Sequence, residues 1–151
     1  MKGESTNFML LAFKEAQNAY NSNEVPIGAV VVKNGLVVGS GFNQVILHQS
    51  VSKHAEINAI NAASKKLNNY RLTGCDIYVT LEPCHMCAKA IVDARLNKLY
   101  FATPEPKTGA VISIDTFLDS SHLNHRVSYS YGEMQQESAA LLKKFFQLKR
   151  S

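Results

Sequence analysis

The stretch 76–103, DIYVTLEPCHMCAKAIVDARLNKLYFAT, decides the fold. Asp76 to Leu81 is an apolar run of strand length, rich in β-branched and aromatic residues, and reads as a buried strand. Cys84 to Arg95 reads as a helix, and Pro83 suits a first helical turn because its missing N–H would be unpaired there anyway. Lys98 to Thr103 is a second strand. Working outward, a helix is expected from about Lys53 to Lys66. Before it, Ile27 to Val32 and Leu36 to Ser40 flank Lys33-Asn34-Gly35, and Asn-Gly is a strong short hairpin signal. Phe8, Leu11, Ala12, Ala16 and Ala19 recur at helical spacing and predict an opening helix over roughly 5–21. Downstream, Ile114 to Leu118 reads as a short helix and Val127 to Tyr131 as an edge strand or extended loop. A long helix from about Glu133 to Lys149 closes the chain. Two strand–helix–strand passages predict parallel neighbouring strands with helices packed across the sheet. The expected architecture is a three-layer α/β/α sandwich with a mixed central sheet.

Composition bounds the rest. The 151 residues make one ordinary domain, expected to span 1–151, and 46% hydrophobic content is normal for a globular protein. No apolar run approaches the ~20 residues that cross a bilayer, and the polar start leads into an amphipathic stretch rather than a leader. No membrane association is expected. Three cysteines, two of them three apart, do not make a disulfide scaffold, so a cytoplasmic location is expected. Sixteen Lys+Arg against 12 Asp+Glu leave a net charge of +4, and the pI near 9.0 suits an anionic partner.

Chemistry concentrates in two motifs, His54-Ala55-Glu56 and Pro83-Cys84-His85-Met86-Cys87. They offer one imidazole, two thiols and a carboxylate. That inventory matches a zinc ion with three protein ligands (His54, Cys84, Cys87) and a fourth position for water, with an acid/base group beside it. His54 and Glu56 are roughly 200° apart on a regular helix, so they can address one point only from a helix start. Cys84 and Cys87, three apart, share a helix face. Both ligand sets therefore belong at helix N-termini, whose positive dipole ends favour thiolate. Zinc there would lower the pKa of its water from about 15.7 to around 7. Glu56 would take the water proton and deliver it to a ring nitrogen and a leaving amine. The expected reaction is attack on an amidine carbon with loss of ammonia, with no cofactor beyond one zinc per subunit.

Simpler readings compete at each position. Cys-x-x-Cys alone also occurs as a structural zinc knuckle or a redox pair, and His-x-Glu alone carries almost no information. Their order, with proline before the first cysteine, is what selects catalytic zinc. Cys75 opens a strand out of register with the pair and reads as a partly buried free thiol. His85 points roughly 100° away from Cys84 on the helix and reads as pocket wall or surface. His48, His122 and His125 share no ligand spacing.

H-x-E followed by P-C-x-x-C is the signature of zinc-dependent nucleobase deaminases. Beyond that signature, Glu24-Val25-Pro26-Ile27-Gly28-Ala29-Val30-Val31-Val32, Tyr78 to Ala88, Lys107-Thr108-Gly109-Ala110 and Asn124-His125-Arg126-Val127 resemble the bacterial-type tRNA-specific adenosine deaminases. The likeness runs from about residue 8 to about 149. The metal motif alone would fit any member of the cytidine deaminase-like superfamily; the flanking runs favour the tRNA branch. The resemblance implies conversion of adenosine to inosine at the wobble position of a tRNA anticodon, by a homodimer acting on the anticodon stem-loop. It also implies roles by matching position. His54, Cys84 and Cys87 would hold zinc, Glu56 would shuttle protons, Asn43 would hydrogen-bond the flipped nucleotide, and Ile27, Ala55 and Pro83 would line the base pocket. Asn43 also reads as a plain turn residue after Gly41-Phe42.

Two segments depart from the family pattern. Thr103-Pro104-Glu105-Pro106-Lys107 carries two prolines, with Glu105 where the family more often has Asp. Ile112-Ser113 replaces a small Gly-Ser. Both bear on the fit around flanking nucleotides rather than on the metal chemistry. Lys107 in this loop is a candidate RNA contact.

The final helix carries a second hint of RNA. Met134, Ser138, Leu141, Leu142, Phe145 and Leu148 form one stripe at helical spacing and are expected to pack inward. Lys143, Gln147 and Arg150 fall on the opposite face, with Phe146 about 100° off the stripe beside them. An aromatic flanked by cations suits stacking on an unpaired base, worth roughly 1–3 kcal/mol. A solvated helix face with Phe146 as its rim is the plainer reading.

Three functions remain open on these residues: a tRNA adenosine deaminase, a free-base or nucleoside deaminase (cytosine, guanine or cytidine) of the same fold, and a non-catalytic zinc-stabilised RNA-binding subunit. RNA dependence separates the first two. Glu56 speaks against the third, because a purely structural site has no use for its carboxylate.

Overall fold

In the computed structural model, residues 7–150 are described, the side chain of Arg150 excepted. The elements run α1 (Phe8–Asn21), β1 (Gly28–Lys33), β2 (Leu36–Phe42), α2 (Val45–His48), α3 (Ala55–Leu67), β3 (Cys75–Leu81), α4 (His85–Asp93), β4 (Lys98–Thr103), β5 (Ser128–Tyr131) and α5 (Gln135–Arg150), with a 3-10 turn at Phe117–Asp119 before β5. Helix α1 starts where the Asn7 side chain accepts from the Leu10 amide at 3.0 Å, a capping bond that satisfies one of the free N–H groups of the first turn. The first two residues of the expected opening helix, 5 and 6, lie outside the described residues. The β1–β2 turn places both Asn34 (φ 53°) and Gly35 (φ 78°) in the left-handed region, as a tight hairpin requires.

The sheet has the order β2-β1-β3-β4-β5. Strand β1 is antiparallel to both its neighbours, while β3–β4 and β4–β5 are parallel. The sheet is mixed, as expected, but of the two strand–helix–strand passages expected from the sequence one joins neighbours and the other does not. β3-α4-β4 does so. β2-α3-β3 joins strands of the same direction with β1 between them, because the hairpin has already taken the inner edge of β2.

Side chains alternate across the sheet and fill two cores. Ala29, Val31, Ile77, Val79, Leu99 and Phe101 face Ala55, Ala59, Ala63, Ala88 and Ile91 of α3 and α4. Val30, Val32 and Ala102 face Met9 and Ala12 of α1 on the other side. Each large side chain fully buried in this way contributes roughly 1.5–3 kcal/mol relative to exposure. Helix α5 lies on the α1 side, where Phe145 meets Tyr20 edge-on at 6.1 Å. These are the three expected layers.

Several boundaries differ from the sequence reading, each for a local reason. Helix α4 begins at His85, with Cys84 extended (ψ 177°) as its capping residue, so Pro83 lies before the helix rather than in its first turn. Met134 adopts φ 60° and stands outside α5, although its side chain still packs on the α1 core. Leu148, expected inward, is 59% exposed, so the inward stripe ends at Phe145. The short helix expected at 114–118 is the 3-10 turn at Phe117–Asp119. Helix α2 has no signal in the sequence, since four residues are too few to show a period. Cys75 is fully rather than partly buried.

Candidate metal and base site

Because β2 and β3 run the same way, the loops that leave them emerge at one end of the sheet, where β1 begins. That topology brings His54, at the start of α3, to Cys84 and Cys87, at the start of α4. His54 and Cys84 are the capping residues of their helices, both with extended backbones and no side-chain capping bond, which leaves their donor atoms directed elsewhere. Nδ1 of His54 lies 3.7 Å from Sγ of Cys84 and 3.4 Å from Sγ of Cys87. All three donor atoms lie within 4.8 Å of one another, and this group could hold a metal ion. The distances fit such a use: with Zn–S near 2.3 Å and Zn–N near 2.05 Å, a tetrahedron has N···S edges of about 3.6 Å.

The electrostatics of the cluster agree with its donor chemistry. The Cys84 thiol is driven down to about 3, first by the hydrogen bond from Cys87 and then by His54, against the opposing effect of burial. The Cys87 thiol is pushed up, because it is the partner that keeps the proton of that bond and because it is buried. His54 is raised, chiefly by its bond with Cys84. A metal ion would displace the remaining thiol proton, since thiolate is the ligand form. Glu56, one residue inside α3, is 4% exposed, and burial above all lifts its carboxyl to about 7. That value lets one group both accept and return a proton near neutral pH.

The other sequence-derived candidates fall at the same end of the sheet. Asn43 follows β2 directly; its amide N–H donates to the Ile27 carbonyl at 3.1 Å, and the next residue, Gln44, donates to the Lys53 carbonyl beside His54 at 2.9 Å. The side-chain oxygen of Asn43 is buried and has no hydrogen-bond partner among the described residues. An orphaned buried acceptor costs about 1–3 kcal/mol, which a bound donor would recover. Ala55 and Pro83 are buried at the two helix starts, and Ile27 is half-buried at the entry to β1. Lys107 is exposed on the loop after β4, which reaches the site where the Ala110 amide donates to the Pro83 carbonyl at 2.9 Å.

Helix α5 is not part of this cluster. Lys143 is exposed, and Phe146 is 42% exposed while packing edge-on against Phe145 at 5.4 Å. The side chain of Arg150 lies outside the described residues.

The histidines between and around the motifs are placed away from the donor cluster. His85 is exposed and bonds Asp115 at 2.8 Å, with its ring edge-on to Phe117. His125 bonds the Leu96 carbonyl at 2.7 Å and helps hold the loop before β5. His48 and His122 are exposed.

Two carboxylates that sequence reasoning passed over support the site. Glu24, 2% exposed, accepts from the amides of Ile46 (3.1 Å) and Leu47 (2.8 Å) and so pins α2 just after Asn43. Glu82, 3% exposed, gathers the loop after β4. Its carboxyl is held below the ordinary range: backbone N–H groups, Ile112 foremost, and the Ser113 hydroxyl outweigh burial, which acts the other way. The only sequence signal was an acid flanking a Pro-containing turn next to an apolar strand, which also describes many surface acids.

The fold and the metal-capable cluster suit a deaminase, and comparison with known proteins shows that class. The family model for MafB19-like deaminases matches residues 4–150. A tRNA-specific adenosine deaminase of Aquifex aeolicus is 40% identical over 95% of both chains, and one of Agrobacterium fabrum is 44% identical over 97% of both. A solved structure from work on A-to-I editing by tRNA:A34 deaminases at the wobble position of transfer RNA superposes with a TM-score of 0.86. It is 43% identical and covers 89% of this chain and 97% of its own. The chain belongs to the tRNA-specific adenosine deaminase family.

Proposed function

We propose that this protein hydrolyses adenosine to inosine at the wobble position of a tRNA anticodon, consuming one water and releasing ammonia. The observation that carries this reading is identity of 40–44% over 95–97% of the chain with tRNA-specific adenosine deaminases, well beyond the metal turn. His54, Cys84 and Cys87 would hold one zinc per chain, since one imidazole and two thiolates at tetrahedral spacing with a position left open are the ligand set of a catalytic zinc site. Zinc would supply the Lewis acidity that makes a water nucleophilic near neutral pH.

The chain's own residues then do the rest. Glu56 takes a proton from the attacking water and passes it to the ring nitrogen. Glu56 then moves the second proton of that water to the exocyclic nitrogen, which leaves as ammonia, and the bond to the new oxygen replaces the lost C–N bond. Asn43 receives a hydrogen bond from the flipped nucleotide at its unpartnered oxygen. Ile27, Ala55 and Pro83 wall the base and keep bulk water out. A base taken from its stack is read in this way on its Watson–Crick edge.

Lys107, Lys143, Phe146 and Arg150 are assigned to the RNA around the flipped base, the cations to phosphates and Phe146 to an unpaired base. The 151 residues act as one domain, and two such chains form a homodimer. No helix among the described residues is long and apolar enough to cross a membrane. Together with a tRNA substrate and free thiols, this supports action in the cytoplasm.

The test is inosine formation on an anticodon stem-loop with adenosine at the wobble position, beside free adenosine, cytosine and guanine. Turnover of the stem-loop alone is expected. Efficient turnover of a free base with the stem-loop inert would replace this reading with a small-molecule deaminase.

A further inference from the structure

The carboxylate of Glu82 is the most heavily bonded side chain among the described residues, and no step of the reaction above uses it. Oε1 accepts from the Glu105 amide at 3.0 Å, and Oε2 accepts from the amides of Val111 (2.9 Å), Ile112 (2.8 Å) and Ser113 (3.0 Å). The Ser113 hydroxyl also donates to Oε1. A buried carboxylate is tolerated only when it is satisfied this fully. The loop is moulded to it: Gly109 lies so close that any Cβ there would overlap the Glu82 carboxyl. Glu82 is two residues before Cys84, and its own amide donates to the Thr103 carbonyl at the end of β4.

What the loop carries gives this clamp a purpose. Lys107 sits between the tether at 105 and those at 111–113, its amide donating to Glu105 Oε1 at 2.9 Å. Pro104 and Pro106 restrict φ on either side of Glu105. The Ala110–Pro83 bond ties the same segment to the turn that presents Cys84. The backbone of Lys107 is therefore referenced, through a short and heavily bonded segment, to the metal-capable turn, and its exposed side chain projects from that fixed point.

We propose that Glu82 is a positioning residue for RNA: it locks the 105–113 loop so that Lys107 meets a phosphate of the single-stranded anticodon at a set place relative to the reacting base. This rests on the tRNA reading above and names a residue through which that reading achieves its grip. Glu82 touches neither base nor phosphate, and acts through the loop.

The experiment compares Glu82→Gln, Lys107→Ala and the double variant, all metal-loaded, with Ser113→Ala as a milder disturbance should Glu82→Gln fold poorly. Amide hydrogen exchange tests the clamp without RNA. Val111, Ile112 and Ser113 should exchange at least about tenfold faster in Glu82→Gln, with metal content and the protection of α3 and α4 retained. On the stem-loop, KM should rise about tenfold with little change in kcat, as for removal of one charge-assisted hydrogen bond. The double variant should be no worse than the poorer single one. Ser113→Ala should move exchange and KM in the same direction by less. Unchanged exchange at 111–113 would overturn the proposal, as would a fall in kcat and metal content at constant KM, or KM effects that simply multiply. A wild-type protein that fails to bind the stem-loop would instead defeat the tRNA reading, with the exchange result still deciding whether Glu82 holds the loop.

Discussion

Sγ of Cys87 lies 3.4 Å from Nδ1 of His54, across 33 positions of sequence and between the first turns of two helices. This approach joins the two motifs into one donor cluster, and it depends on β2 and β3 delivering their following helices to the same end of the sheet. Cys84→Ala should therefore lose zinc and activity together, while Cys75→Ala, at the far end of β3, should keep both. Metal analysis of the two purified variants checks this, and zinc retained by Cys84→Ala would disprove the ligand assignment.

Metal removal should change thiol reactivity selectively. With zinc bound, all three cysteines should resist alkylation. After chelation Cys84, half-buried at its helix start, should react, while Cys75 should not, because it is fully buried and burial pushes its thiol up. Mass spectrometry of alkylated peptides reads this directly, and modification of Cys75 ahead of Cys84 would contradict the burial pattern.

Glu56→Gln should keep the fold and the metal and lose about 10²–10⁴-fold in kcat, the usual contribution of a general acid/base. The amide fits the same volume but cannot carry the proton. Near-normal turnover in metal-replete Glu56→Gln would place the proton shuttle on another group.

Asn43→Ala should lower kcat/KM on the stem-loop by about tenfold, the size of one hydrogen bond to substrate. It should not destabilise the free protein by a comparable amount, because the Asn43 oxygen has no partner to lose among the described residues. Paired steady-state kinetics and thermal melts distinguish this from a purely structural asparagine, whose removal would lower the melting temperature and leave KM alone.

On α5, Lys143→Ala should weaken stem-loop binding and reduce the salt slope by about 0.7, the share of one neutralised phosphate on a single strand. Phe146→Ala should cost roughly 1–3 kcal/mol of binding with the salt slope unchanged, because stacking releases few counterions. Titrations at several salt concentrations separate the two. Equal slopes in wild type and Lys143→Ala would remove that cation from the interface.

What the sequence determined by itself was local. The Lys33-Asn34-Gly35 turn, the strand at 98–103 and the helical periods of 8–19 and 53–66 depend on neighbours within a few residues, so turn chemistry and hydrophobic spacing reveal them. The metal-capable set was legible because His54-Ala55-Glu56 and Pro83 to Cys87 are rare combinations whose chemistry is carried by residue type. The tertiary structure decided everything that depends on which segments meet. It placed β1 between β2 and β3, so that one crossover passes over a strand, a choice made by long-range register. It left Leu148 exposed because inward spacing on a helix buries a side chain only where the layer beneath still extends. It buried Glu24 and Glu82, which sequence cannot distinguish from ordinary surface acids. A carboxylate becomes an anchor only when distant backbone N–H groups converge on it, and that convergence is a property of the packed chain.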